Sequence, residues 1–167
     1  MPRFQLIGEA RVVTDRDDRL RALLAPEFDP RRTVLLERAS PVALTGVTPN
    51  GSIQQTGSST DHFDFVAETE QPALLLITES YSTGWRIVPM GDAKQPQPDY
   101  TILPANHALM AVPLAPGRHH LRLEYSPFAF RLGAWVSGFS LTAYLLAAGW
   151  VGVRHRSLKS HVQHAVR

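Results

Sequence analysis

Glu79, Tyr81 and Trp85 crowd around the turn Ser82-Thr83-Gly84, and together they suggest carbohydrate chemistry. Two aromatic rings flanking a turn could stack on a sugar ring. Large aromatics also dominate core packing, so each ring has a second reading. Trp85 opens an apolar strand in which Ile87 and Pro89 share its face and Arg86 takes the other, which puts its ring over the core. Tyr81, before the turn, is then the exposed stacking surface. Glu79 and Asp92 could form the carboxylate pair of a glycosidase, but both also read as solvated acids at a strand end and in a loop. Neighbouring His119 and His120 project to opposite faces of a strand and cannot chelate one metal together. His62 and His107 could join either of them only through a contact made by the fold. Serines, histidines and aspartates are present, but none lies in a nucleophile-elbow or triad context. No cysteine occurs, which excludes disulfides, a thiolate nucleophile and a cysteine-based zinc site. No residue set here supplies an acid, a base and a donor site, so no catalytic or metal residue is assigned and no cofactor is expected.

The elements around these residues are mostly short strands. Thirteen prolines and eleven glycines favour strands joined by turns over a helical bundle. Phe4–Val13 has the alternation of one strand. Thr14 then caps a short helix ending near Ala25–Pro26, with Asp17 at its third position and Leu20, Leu23 and Leu24 on one face. Thr33–Glu37 reads as a strand, and 38–60 as a connection rich in turn residues with a strong turn at Pro49-Asn50-Gly51-Ser52. From Asp61 the pattern is all-β. Phe63, Phe65 and Ala67 alternate with Asp64 and Glu68, and Ala73–Thr78 is a continuous apolar run of the buried type. Trp85–Met90, Tyr100–Leu103 and His107–Leu114 follow. In His119–Ser126, Leu121, Leu123 and Tyr125 face in while His120, Arg122 and Glu124 face out. Strands at this spacing predict a mainly β domain, a β-sandwich or jelly-roll-like fold. Its core lies at 61–127, and 1–60 belongs to the same domain.

Leu132–Val153 holds 22 residues without an acid, a base or a histidine. As a helix it is roughly 33 Å long, enough for a hydrocarbon core of about 30 Å. Trp135 and Trp150 lie near its ends, where indoles favour the headgroup level. Small residues recur at four-residue spacing in Gly133/Ser137, Ala134/Gly138 and Ala148/Gly152, which permits close helix approach. The tail 154–167 carries Arg154, Arg156, Lys159 and Arg167 and no acid. The basic pI of about 9.3 therefore stems from the tail rather than from a nucleic-acid-binding face. A short basic segment beside a span reads as cytoplasmic, which places 1–131 outside. Only Phe128–Arg131 separates the last strand from the span, so the domain is expected close to the bilayer. Met1–Val13 has no secretory h-region, so either upstream spans export the domain or it is a tail-anchored cytosolic one.

The order Glu79-Ser-Tyr81-Ser-Thr-Gly84-Trp85, Asn106, Ala111-Val-Pro-Leu-Ala-Pro-Gly117-Arg-His119, Leu123-Glu-Tyr125-Ser-Pro127 and Leu132-Gly133 resembles the C-terminal region of bacterial YfhO-type membrane proteins. It departs from that pattern at Thr83, where a proline usually precedes the glycine, and at Met90-Gly91-Asp92, where a tight Asp-Gly hairpin is usual. The resemblance implies a multi-span glycosyltransferase-like protein that takes sugars from polyprenyl-phosphate carriers and decorates envelope polymers. Its catalytic part would lie upstream of this chain. The implied role is a non-catalytic extracytoplasmic domain plus terminal span, with the bilayer, upstream helices and a glycan or polyprenyl-linked sugar as partners. Glu79, Tyr81, Trp85 and Asn106 are its candidate ligand-binding residues. A free-standing membrane-tethered glycan-binding or assembly module and a tail-anchored cytosolic scaffold are the alternatives.

Overall fold

The computed structural model describes residues 2–91 and 95–164, and side chains of the terminal helix over 132–150. The chain forms two compact units, Met1–Ser126 and Pro127–Arg167. The first is a mainly β domain of two sheets. Strands β1 (Phe4–Ile7), β6 (Ala73–Ile77), β9 (Leu109–Leu114), β8 (Leu103–Ala105), β3 (Thr33–Leu36) and β2 (Glu9–Val12) make the larger sheet, in that order. Strands β4 (Gly51–Ser58), β5 (His62–Thr69), β10 (Gly117–Tyr125) and β7 (Trp85–Pro89) make the smaller. The segment 1–60 thus contributes strands to both sheets.

The strand expected over Phe4–Val13 breaks at Gly8, and the break organises the larger sheet. Its halves β1 and β2 lie at opposite edges of the sheet yet are consecutive in the chain, so the sheet must curl until its edges meet at Gly8. Only glycine fits there: a Cβ would lie 1.8 Å from the Val47 carbonyl oxygen, and the Gly8 carbonyl accepts from Gly46 N–H at 3.0 Å. Because β2 and β3 run parallel, they need a crossover, which helix α1 (Arg16–Leu24) provides.

Helix α1 differs from expectation at its start and on its buried face. Asp15, not Thr14, is the N-cap, accepting from the Asp17 and Asp18 amides at 2.9 Å. The buried residue is Arg19 rather than the leucine stripe, and Leu24 is 83% exposed. Arg19 donates to the Val13 carbonyl at 2.7 Å and pairs with Glu37 at 2.8 Å. It ties the helix to the strands on either side of it.

Curling gives β6 apolar surroundings on both faces, which explains its unbroken run of apolar residues. Leu74 and Leu76 join Ile7, Val34, Leu36 and Leu103 in a core enclosed by the curled sheet. Leu75 and Ile77 face the other way, into a core shared with Phe65, Ala67, Leu121 and Leu123 of the smaller sheet. The outer face of the smaller sheet is charged. Arg122 grips Asp64 through two bonds of 2.6 and 2.9 Å, and Arg86 bonds Glu124.

Four further boundaries move. The turn-rich stretch 38–60 contains β4, an edge strand hidden from pattern reading because Ile53 is its only large apolar residue. Gly51 opens it in place of the expected turn, where a Cβ would lie 2.2 Å from the Glu68 carbonyl oxygen. The expected strand Tyr100–Leu103 is instead Leu103–Ala105, and β10 starts at Gly117 with Tyr125 42% exposed at its end. Helix α2 (Phe128–His164) continues past the apolar stretch into the basic segment. Within it, Leu132–Trp150 has a mean hydropathy of 1.3, none of it is buried, and it is long and apolar enough to cross a membrane.

Candidate functional site

Three of the four sequence candidates converge. Beyond β6 the chain runs out through Thr78 and Glu79 and reaches β7 through a turn in which Ser82 Oγ accepts from Gly84 N–H at 3.2 Å. The Ser82 carbonyl then accepts from Trp85 N–H at 3.1 Å. Glu79, Tyr81 and Trp85 thereby line one open groove of about 320 Å³, with the hydroxyls of Thr60, Ser80 and Ser82 and the ring of Tyr125. Tyr81 is 38% exposed, and its N–H donates to the Ala108 carbonyl at 2.7 Å. Trp85 has a double position: it packs against the inter-sheet core and also walls the groove.

The aromatic wall is continuous. Phe63 stacks on Trp85 at a centroid distance of 6.2 Å, and Trp85 meets Tyr125 at 5.0 Å and 59°. Tyr125 pairs with Trp85 in the β10–β7 register, so this contact follows from strand pairing. Arg3 joins the wall to Glu79, its guanidinium carbon 4.7 Å from the Phe63 centroid and its Nε 3.2 Å from Glu79 Oε1. Thr60, Tyr125, Phe63 and Arg3 were not among the sequence candidates. Only the β10–β7 pairing, a long-range property, could have pointed to Tyr125.

Asn106 is not in the groove. It lies in the β8–β9 turn with φ 45° and is followed by His107 at φ 70°. Its Oδ1 accepts from Leu35 N–H and its own N–H donates to the Leu35 carbonyl, both at 2.8 Å. It therefore continues the pairing of β3 where the turn leaves the sheet, and its Nδ2 is buried without a hydrogen-bond partner. Two residues on, Ala108 anchors Tyr81, so Asn106 bears on the groove only through the turn. Asp92 lies outside the described residues.

The histidines separate. His119 is fully buried, donates Nε2–H to the Ala115 carbonyl at 2.8 Å and accepts from the Tyr100 hydroxyl on Nδ1 at 2.6 Å. Burial holds its pKa below the usual 6.5, and burial pushes the Tyr100 hydroxyl up to about 12. The pair is thus neutral and in place as a buried brace. His120 lies on the opposite face, as the strand period requires. His62 Nδ1 sits 3.0 Å from Asp61, whose carboxyl is held below its ordinary value first by that hydrogen bond. Among the described residues no three metal-ligating side chains gather.

The molecule so described is a two-sheet β domain with an aromatic groove, followed by a C-terminal helix able to cross a membrane by length and composition. No family model, curated protein or solved structure matches the chain.

Proposed function

We propose that this chain is the non-catalytic extracytoplasmic β domain and terminal span of a membrane glycosyltransferase-like protein, and that its groove holds a glycan or the sugar of a polyprenyl-linked carrier. The observation that carries this reading is the lining of the groove. Rings of Tyr81, Trp85 and Tyr125 offer flat apolar faces, while Glu79, Thr60, Ser80 and Ser82 offer the acceptors and donors that sugar hydroxyls need. The YfhO-type resemblance of 79–133 points the same way, and Leu132–Trp150 supplies the membrane attachment. The basic 154–167 segment favours a cytoplasmic tail, hence a domain outside the cell membrane.

Ligand-observed NMR with the full chain tests the groove. The chain is held in a polyoxyethylene-ether detergent, which carries no sugar to compete. Neutral hexoses and their oligomers should bind, and Tyr81→Ala should weaken them while leaving the β signal in circular dichroism intact. Equal binding by parent and Tyr81→Ala, or no binding at all, would overturn the assignment.

A further inference from the structure

We propose that the groove selects a glycan unit bearing a protonated amine, with Glu79 as its acceptor. This deepens the glycan reading and rests on it. Among the described residues Glu79 is the one charged side chain lining the groove; its companions are hydroxyls and rings. Its Oε1 lies 3.2 Å from Arg3 Nε, and among the described residues Glu79 has no second ion-pair partner. Arg3 does not line the groove: its guanidinium is held over Phe63. The Glu79 side chain keeps 30% of its surface exposed beside this partner, and a carboxylate, with about four lone-pair sites, can bridge two cations.

The rings favour the same charge. The faces of Trp85 and Tyr125 carry negative quadrupole potential, which attracts an ammonium and repels an anion. Their centroids are only 5.0 Å apart, so no group fits between them and they form one wall rather than a cage. A caged quaternary ammonium is therefore a poor fit. A primary amine on a stacked sugar is a good one, because the ring lies on the wall while its ammonium reaches Glu79. A uronate in the same pose would face the carboxylate and the ring faces at once.

The test compares glucosamine, glucose, N-acetylglucosamine and glucuronate by ligand-observed NMR. It uses the full chain in the polyoxyethylene-ether detergent, slightly below neutral pH, with the Glu79→Gln variant alongside. Glucosamine should bind the parent about fivefold more tightly than glucose, the size expected of a partly exposed ion pair. Glu79→Gln should remove that preference, bringing glucosamine level with glucose, while an unchanged β signal in circular dichroism reports an intact fold. Equal affinities for glucosamine and glucose, a preference that survives Glu79→Gln, or tightest binding by glucuronate would overturn the amine assignment while leaving the glycan reading standing. If none of the four sugars bound, the glycan reading would fall and this proposal with it.

Discussion

Replacing Trp85 with alanine should destabilise the β domain by about 2–3 kcal/mol. Emptying a fully buried tryptophan site costs about 3–5 kcal/mol. Trp85 packs on the inter-sheet core but leaves part of its ring on the groove, so only part of that loss applies. The aromatic pairs with Phe63 at 6.2 Å and Tyr125 at 5.0 Å, each worth about 0.5–1.5 kcal/mol, keep the loss from falling lower. Urea unfolding of the full chain in detergent, followed by the β signal, gives the measurement. With a slope of about 1–3 kcal/mol per molar, the midpoint should fall by about 0.7–3 M. Trp85→Phe keeps a ring in the stack and should lose less than half as much. A midpoint for Trp85→Ala within experimental error of the parent would refute the packing role. Equal losses for Trp85→Phe and Trp85→Ala would refute the part assigned to ring stacking.

Gly8→Ala should cost at least the about 1–3 kcal/mol of an overpacked site, since Val47 must retreat before the sheet edges can meet; an unchanged urea midpoint would count against the curl. Arg19→Met should cost about 2–3 kcal/mol by leaving the Val13 and Thr14 carbonyls without their charged donor, checked by the same unfolding curves. His119 binds its proton less readily folded than unfolded, so its contribution is complete above about pH 6.5 and declines as pH falls below that value; the decline should vanish in His119→Gln. Asp64, held low first by its Arg122 hydrogen bond, adds a second loss at pH values below about 3.8, visible as a further drop in midpoint that Asp64→Asn abolishes. Finally, the chain should resist carbonate extraction from membranes, and Leu141→Arg with Leu145→Arg should weaken insertion at about 2.5–3.5 kcal/mol per arginine.

What could be read from sequence depended on whether burial was local or long-range. Phe63, Phe65 and Ala67 advertise one wet and one dry face, so β5 is plain, and Leu74–Ile77 advertise burial on both faces. β4 carries no such mark, because its place is set by backbone pairing with β5 and not by its own side chains. α1 hides its anchoring face, since the group it buries is a guanidinium, which pattern reading assigns to solvent. In the groove, Glu79, Tyr81 and Trp85 were legible because one turn brings them together. Thr60 and Tyr125 arrive from distant segments. Asn106 is a candidate only through the family resemblance, and its amide substitutes for a strand partner at a left-handed turn.

The placing of β10 has a consequence for how the domain is made. It is the last strand among the described residues, yet it lies between β5 and β7, and among those residues β7 pairs with no other strand. During synthesis β7 must therefore wait, unpaired, until Gly117–Tyr125 emerges. At about 5–20 residues per second that wait lasts about 2–7 s. Throughout it, Phe63, Phe65 and Trp85 lack the strand that covers them, and both β5 and β7 offer open hydrogen-bonding edges. A chain stopped before Gly117 would keep those edges permanently and carry no apolar helix. Such a product would be sticky, the kind of species that cellular proteases remove. The finished domain and its apolar helix, by contrast, leave the ribosome almost together.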